Sequence, residues 1–262
     1  MKVATILPVP LLDTLAGDQS YQMCLFQVIK DNPEAAAYFK KQRELGHFVI
    51  MDNGAAEGVN PTAEDLMEVY PLVNPSEIVL PDVVYDKAET IRRSRDAYCL
   101  FREHDLDDKY QFMGVPQGNC FTEWLECMKV FLAQPAITTI GVSKFVTPKF
   151  QDEMGKNVNV RLECVDAILT EAEKLERSVQ IHLLGCWENP AEIGKIAQVY
   201  GDKVRGTDSG IAYVYTRAGV LYDTWNARPD NDELDFHNGT LEKGSIYLLQ
   251  QNIEAWTKHC QG

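Results

Sequence analysis

A chain of 262 residues that is 45% hydrophobic can bury a large core, which excludes a disordered chain. No 18-residue apolar run occurs, and the amino-terminal "MKVATILPVPLLDTLAGD" meets prolines and an aspartate too early for a signal peptide, so the chain reads as cytoplasmic with no membrane partner. With 39 acidic against 25 basic residues the formal net charge is −14, which argues against a stand-alone nucleic-acid binder unless positive groups are concentrated locally or come from a basic partner protein.

In chain order, apolar β-rich runs alternate with helical patterns. "KVATILPVP" (2–10) is the first predicted strand and "GHFVIMD" (46–52) the second. The second ends on Asp52 and runs into "NGAAEG", where two glycines and two alanines leave room for a ligand or another backbone. Asn60 before Pro61 opens a helix over "PTAEDLMEVYPLV". "SEIVLPD" ends on Asp82, four residues ahead of the next helix start. There Asp86 and Glu89 read as a capping box for "KAETIRRSRDAYCLFREH", whose "RRSRD" forms a solvated face. "YQFMGVPQG" carries Gln117 between a proline and a glycine, and "ITTIGVSK" closes on Lys144. "VQIHLLG" carries His182 between two apolar neighbours and ends on Leu184 and Gly185. Asn189 before Pro190, with Glu192, opens the helix "AEIGKIAQVYG", after which "KVRGTD" ends on Asp208 and "IAYVYT" supplies an eighth strand.

Eight near-continuous hydrophobic strands separated by helices, in a chain of this length, predict a single (β/α)8 barrel domain over 1–262. An open doubly wound sheet is the alternative, but no G-x-G-x-x-G turn follows the first strand. A barrel gathers its strand carboxyl ends at one mouth, and here those ends carry Asp52, Asp82, Gln117, Lys144, Gly185 and Asp208. Asp82 has no helix to cap, and the Gln117 amide can donate to and accept from the edge of a planar heterocycle. Asp208 fits either a site or an Asp-Ser-Gly turn, and His182 either a ligand or a satisfied interior histidine. Lys144 could form a Schiff base, bind phosphate or reach solvent. The seven cysteines are scattered without a C-x-x-C pair, as reduced packing residues are, and imply no metal knuckle.

Taken in order, "VIMDNGAAEG", "IVLPD", "GVPQG", "HLLG" and "RGTDSG" resemble the guanine transglycosylases over roughly residues 47–210. The resemblance implies that Asp208 is the nucleophile that holds C1′ of the target nucleotide covalently and that Asp52 is the general acid/base. It further implies that Asp82 and Gln117 read the base edge and that Leu184 and Gly185 present backbone to its exocyclic groups. No cofactor is implied. The zinc-binding subdomain of members that act on tRNA is absent, because only Cys260 follows Cys186, so no metal is expected. "DNGAA" also stands where the family has Asp-Ser-Gly-Gly-Phe-Gln, so the aromatic that stacks on the base there has no counterpart in this stretch.

This compact zinc-free form resembles phage and bacterial relatives that insert 7-deazaguanine bases, such as preQ0, into DNA. DNA is the first expected polymer and tRNA the second, with Lys144, Lys149, Lys156, Arg161 and Arg217 as the local phosphate contacts. Two rival readings are a small-molecule lyase or aldolase using Lys144 as Schiff-base amine beside Asp82 or Asp208, and a nucleobase-binding protein without catalysis.

Overall fold

Strands β1 (Lys2–Thr5), β2 (Tyr21–Leu25), β3 (Phe48–Asp52), β4 (Glu77–Val79), β5 (Gln111–Gly114), β6 (Ile137–Ser143), β7 (Gln180–Leu184) and β8 (Gly206–Ser209) form one parallel sheet in the computed structural model. It describes residues 1–15, 19–186, 190–223, 229 and 234–262. The sheet order is β1-β8-β7-β6-β5-β4-β3-β2, so the last strand returns beside the first and the sheet curls into a nearly closed barrel. A doubly wound sheet reverses its order at a switch point, which this succession does not do. Among the described residues no ladder joins β1 to β2. Gln19 bridges that seam instead, accepting from Thr5 N at 3.3 Å and donating to Thr5 Oγ1 at 2.9 Å.

Parallel strands require crossovers, and helices supply them. They are α1 (Phe26–Asp31), α2 (Pro33–Glu44), α3 (Ala63–Val73), α4 (Lys87–Glu103), α5 (Phe121–Leu132), α6 (Val146–Met154), α7 (Val160–Lys174) and α8 (Pro190–Tyr200), and two further helices, α9 (Ile211–Arg217) and α10 (Ser245–Gln261), follow β8. The outward side chains Val49, Met51, Ile181 and Leu183 are fully buried beneath this layer, which is why the strands read as continuous apolar runs. None of the helices is long and apolar enough to cross a membrane. All seven cysteines are free thiols, five of them buried.

The predicted count of eight strands is right, but its membership is corrected at two places. β2 was not among the predicted strands. "YQMCL" passes into α1 with no turn residue between them, so strand and helix merge into one apolar run. "IAYVYT", expected as a strand, is helix α9; Ile211 to Thr216 are all buried, and a helix buried on every side has no amphipathic period to reveal it. The first strand is also shorter than "KVATILPVP", because Pro8 and Pro10 cannot donate to a ladder and the chain turns into a 3-10 segment from Val9.

Helix starts shift as well. α3 begins at Ala63, under a reciprocal box between Thr62 and Asp65, rather than at Asn60 and Pro61. Asp86 caps α4 through Glu89 N at 3.0 Å, but no box closes, because the Glu89 carboxylate binds Arg92 and Arg93 on the solvated face. On that same helix Ser94 is buried and donates to Pro81 O at 2.8 Å, which ties α4 to the chain just before Asp82. Asn189 lies outside the described residues.

Candidate active site

Strand alternation sends every second side chain inward, and at the carboxyl ends this leaves a cavity of about 940 Å³. Asp52, Asp82, Gln117, Lys144, Leu184, Gly185 and Asp208 all line it, so the residues singled out in the sequence share one mouth. Met23, Leu25, Val115, Phe145 and Phe236 supply apolar wall.

Asp208, on β8, lines the cavity and has one carboxylate oxygen held from two sides. His182 Nε2 at 3.0 Å and Gly185 N at 3.1 Å both reach Oδ1. The ring of His182 is fully buried, and its Nδ1 lies 2.7 Å from the Tyr21 hydroxyl, which in turn accepts from Arg205 Nε at 3.1 Å. Arg205 ion-pairs with the fully buried Glu77 on the barrel floor, where the Thr139 hydroxyl also donates to Glu77. Burial lowers the His182 pKa and raises that of Tyr21, so a neutral imidazole meets a protonated phenol. The consistent assignment has Tyr21 donating to Nδ1 and Nε2–H donating to Asp208, so every donor from the floor cation points toward the mouth.

Gly185 has φ +67°, a left-handed backbone that favours glycine, and a Cβ there would sit 2.8 Å from Lys144 Cδ and displace that side chain. Its N–H serves Asp208 and its carbonyl accepts from Arg161 Nη1 at 2.7 Å. The Leu184 carbonyl accepts from Lys144 N at 2.9 Å and from Arg161 Nη2 at 3.2 Å. Arg161 is therefore not a phosphate contact. It is 1% exposed and holds the Val142, Leu184 and Gly185 carbonyls, bracing the ends of β6 and β7.

Asp52, at the end of β3, accepts from Gly54 N at 3.0 Å. Burial, together with the Glu57 and Asp208 carboxylates, pushes its pKa up to about 8, so it carries a proton at neutral pH. Gly54 and Gly58, both in left-handed conformation, bracket the short turn Ala55–Glu57, which brings Ala55, Ala56 and Glu57 to the cavity wall. The small residues after Asp52 thus shape the wall, and Glu57 adds an acid that sequence reasoning did not single out. Glu57 is exposed, but desolvation at the cavity wall and the Asp208 carboxylate raise its pKa, and Lys144 opposes that rise.

Asp82 is buried with both oxygens engaged. Asn53 donates to Oδ1 at 2.7 Å and Gln117 Nε2 to Oδ2 at 2.6 Å. Burial outweighs these donors and pushes its pKa up to about 6. Gln117 Oε1 accepts from Tyr85 N at 3.1 Å, which fixes the amide orientation. Asn53 also donates to Leu80 O at 2.7 Å and accepts from Ala55 N at 2.9 Å, so Asn53 and Gln117 together anchor Asp82. Among the described residues no cluster of three His, Cys, Asp or Glu side chains has metal-binding geometry.

No family model matches the chain, and no curated protein does. Solved structures similar in fold include two barrel enzymes. One is a mandelate racemase/muconate lactonizing enzyme from Roseiflexus sp., with TM-score 0.50, 10% identity, and coverage of 79% of this chain and 54% of that one. The other is the carboxyl transferase domain of Rhizobium etli pyruvate carboxylase, with TM-score 0.51, 11% identity, and coverage of 99% of this chain and 48% of that one. The chain spans about half the length of each. The shared feature is the barrel. At such identities the likeness carries the architecture and no chemistry.

Proposed function

We propose that the protein is a base-exchange transglycosylase that replaces guanine in DNA with a 7-deazaguanine base through a covalent aspartyl-nucleotide. The observation that carries this reading is the contrast between two carboxylates on one cavity. Burial and the Glu57 and Asp208 carboxylates push the Asp52 pKa up to about 8, whereas Asp208, on the same cavity, receives two donors on Oδ1. Two carboxyl groups in different surroundings on one cavity suit displacement at an anomeric carbon, where one attacks and the other manages a proton.

In this mechanism Asp208 Oδ2 attacks C1′ as the bond from C1′ to the base breaks, and the bonding pair leaves with guanine. Asp52 gives that base its proton. The incoming 7-deazaguanine returns a proton to the Asp52 carboxylate, and its ring nitrogen attacks C1′ and releases Asp208. Atoms and charge balance over the two halves. Asp82 and Gln117 face the base edge, and His182 with Gly185 fixes Oδ1 so that Oδ2 is the attacking atom.

The test is exchange of radiolabelled guanine into a guanine-containing oligodeoxynucleotide and, in parallel, into tRNA. Label in DNA supports the reading, and label in tRNA alone moves the substrate to the second polymer. No incorporation into either, with borohydride trapping a carbonyl substrate on Lys144, would transfer the protein to the lyase class.

A further inference from the structure

The loop after β4 holds Tyr85 at φ +68°. The other described non-glycine residues at positive φ, namely Asn74, Asp105 and Glu176, lie just beyond helix ends, where left-handed geometry is routine, whereas Tyr85 precedes a helix. An aromatic residue is strained there, and such strain collects at functional sites. Tyr85 N donates to Gln117 Oε1, so the strained backbone is tied to the amide that holds Asp82.

The half-buried Tyr85 ring packs edge-to-face, at 6.3 Å between centroids, against Phe145, which lines the cavity. Lys149 Nζ lies 4.6 Å above the Tyr85 ring, and Lys144 Nζ lies 5.3 Å from the Phe145 centroid. Val84, Lys144 and Phe145 line the cavity itself. A chain with a net charge of −14 has thus gathered two ammonium groups and two rings at one side of a mouth whose interior holds Asp52, Glu57, Asp82 and Asp208. Aromatic faces beside cations are what single-stranded nucleic acids use, the ring taking a base by stacking and the cation a phosphate.

We infer that the Tyr85–Phe145 edge, with Lys149, is a subsite for the nucleotide next to the reacting one. The flanking base stacks on Tyr85, and Lys149 swings from the ring to the adjoining phosphate. This rests on the transglycosylase reading and deepens it, because an enzyme acting on free bases or small carbonyl compounds has no use for such an edge.

The experiment compares full-length wild type with Tyr85→Gly and Lys149→Ala. Glycine keeps the left-handed backbone and its bond to Gln117 while deleting the ring, so folding is preserved. Substrates are a single-stranded 12-nucleotide DNA with one guanine and the nucleoside deoxyguanosine, both assayed for label exchange. Tyr85→Gly should raise KM for the oligomer by about five- to 150-fold relative to the nucleoside. Lys149→Ala should lower the slope of log affinity against log salt by about 0.7. Unchanged oligomer KM and salt slope in both variants overturn the subsite while leaving the exchange reading intact. If wild type exchanges no label, that reading fails separately, and fluorescence anisotropy of the labelled oligomer still decides the edge. Weaker binding by the variants keeps the subsite, and equal binding removes it.

Discussion

Replacing Asp52 with asparagine separates what this carboxyl does for catalysis from what it costs the fold. Its pKa rises from 3.8 to about 8, because burial and the Glu57 and Asp208 carboxylates oppose its charge. A carboxyl whose folded-state pKa is raised binds more protons folded than unfolded between these values, so wild-type stability falls as pH rises from about 4 to about 8. An amide in place of the carboxyl would keep an acceptor for Gly54 N and carry no charge. At about 1.4 kcal/mol per pKa unit, discounted because the cavity admits water to Asp52, Asp52→Asn gains ~1–3 kcal/mol at pH 8 and close to nothing at pH 4. For a chain of this size that is a Tm increase of roughly 2–10 °C, read by calorimetry across pH. Exchange should fall by about 10²–10⁴-fold, and the wild-type decline in kcat/KM above pH 8 should vanish from the residual activity. An equal Tm difference at pH 4 and pH 8, or a wild-type rate still rising through pH 9, would refute the protonated Asp52.

Two further outcomes concern the hydrogen-bonded line below Asp208. His182→Leu should lower kcat by roughly 10–100-fold with little change in KM, and His182→Gln, which restores a donor, should recover part of it; equal losses in both would make His182 a packing residue. Arg205→Ala strands Glu77 in the barrel floor and should cost ~3–5 kcal/mol in denaturant unfolding, most of it recovered by adding Glu77→Gln, whereas a loss below about 1 kcal/mol contradicts the buried pair.

What the sequence reveals depends on where each residue sits along its strand. Asp52, Asp82, Gln117 and Lys144 are marked as polar residues closing an apolar run, Asp208 and Gly185 only by their place at a strand's carboxyl end, and a parallel barrel brings all six together. Tyr21 opens β2 and Arg205 immediately precedes β8, both at the amino ends of their strands and 184 residues apart in sequence, and they meet only because the sheet closes. Nothing local announces that contact. Asn53 and Glu57 stand in a stretch that reads as spacer, and their roles depend on the left-handed turn that Gly54 permits. Arg161 looks like a solvent-facing cation near a helix start, and only the bared carbonyls at the ends of β6 and β7 explain its burial. β2 and α9 escape for a related reason, since total burial erases the periodicity by which strands and helices are told apart.

The central claim is that Asp208 forms a bond to C1′, and intact-mass spectrometry after acid quench measures that bond. Wild-type protein incubated with a single-guanine oligodeoxynucleotide and no added base should gain the mass of the oligomer minus guanine, with the label mapping to the peptide containing Asp208. Asp208→Asn should gain nothing. An adduct that survives in Asp208→Asn, or none in wild type under conditions where label exchanges, would contradict the account.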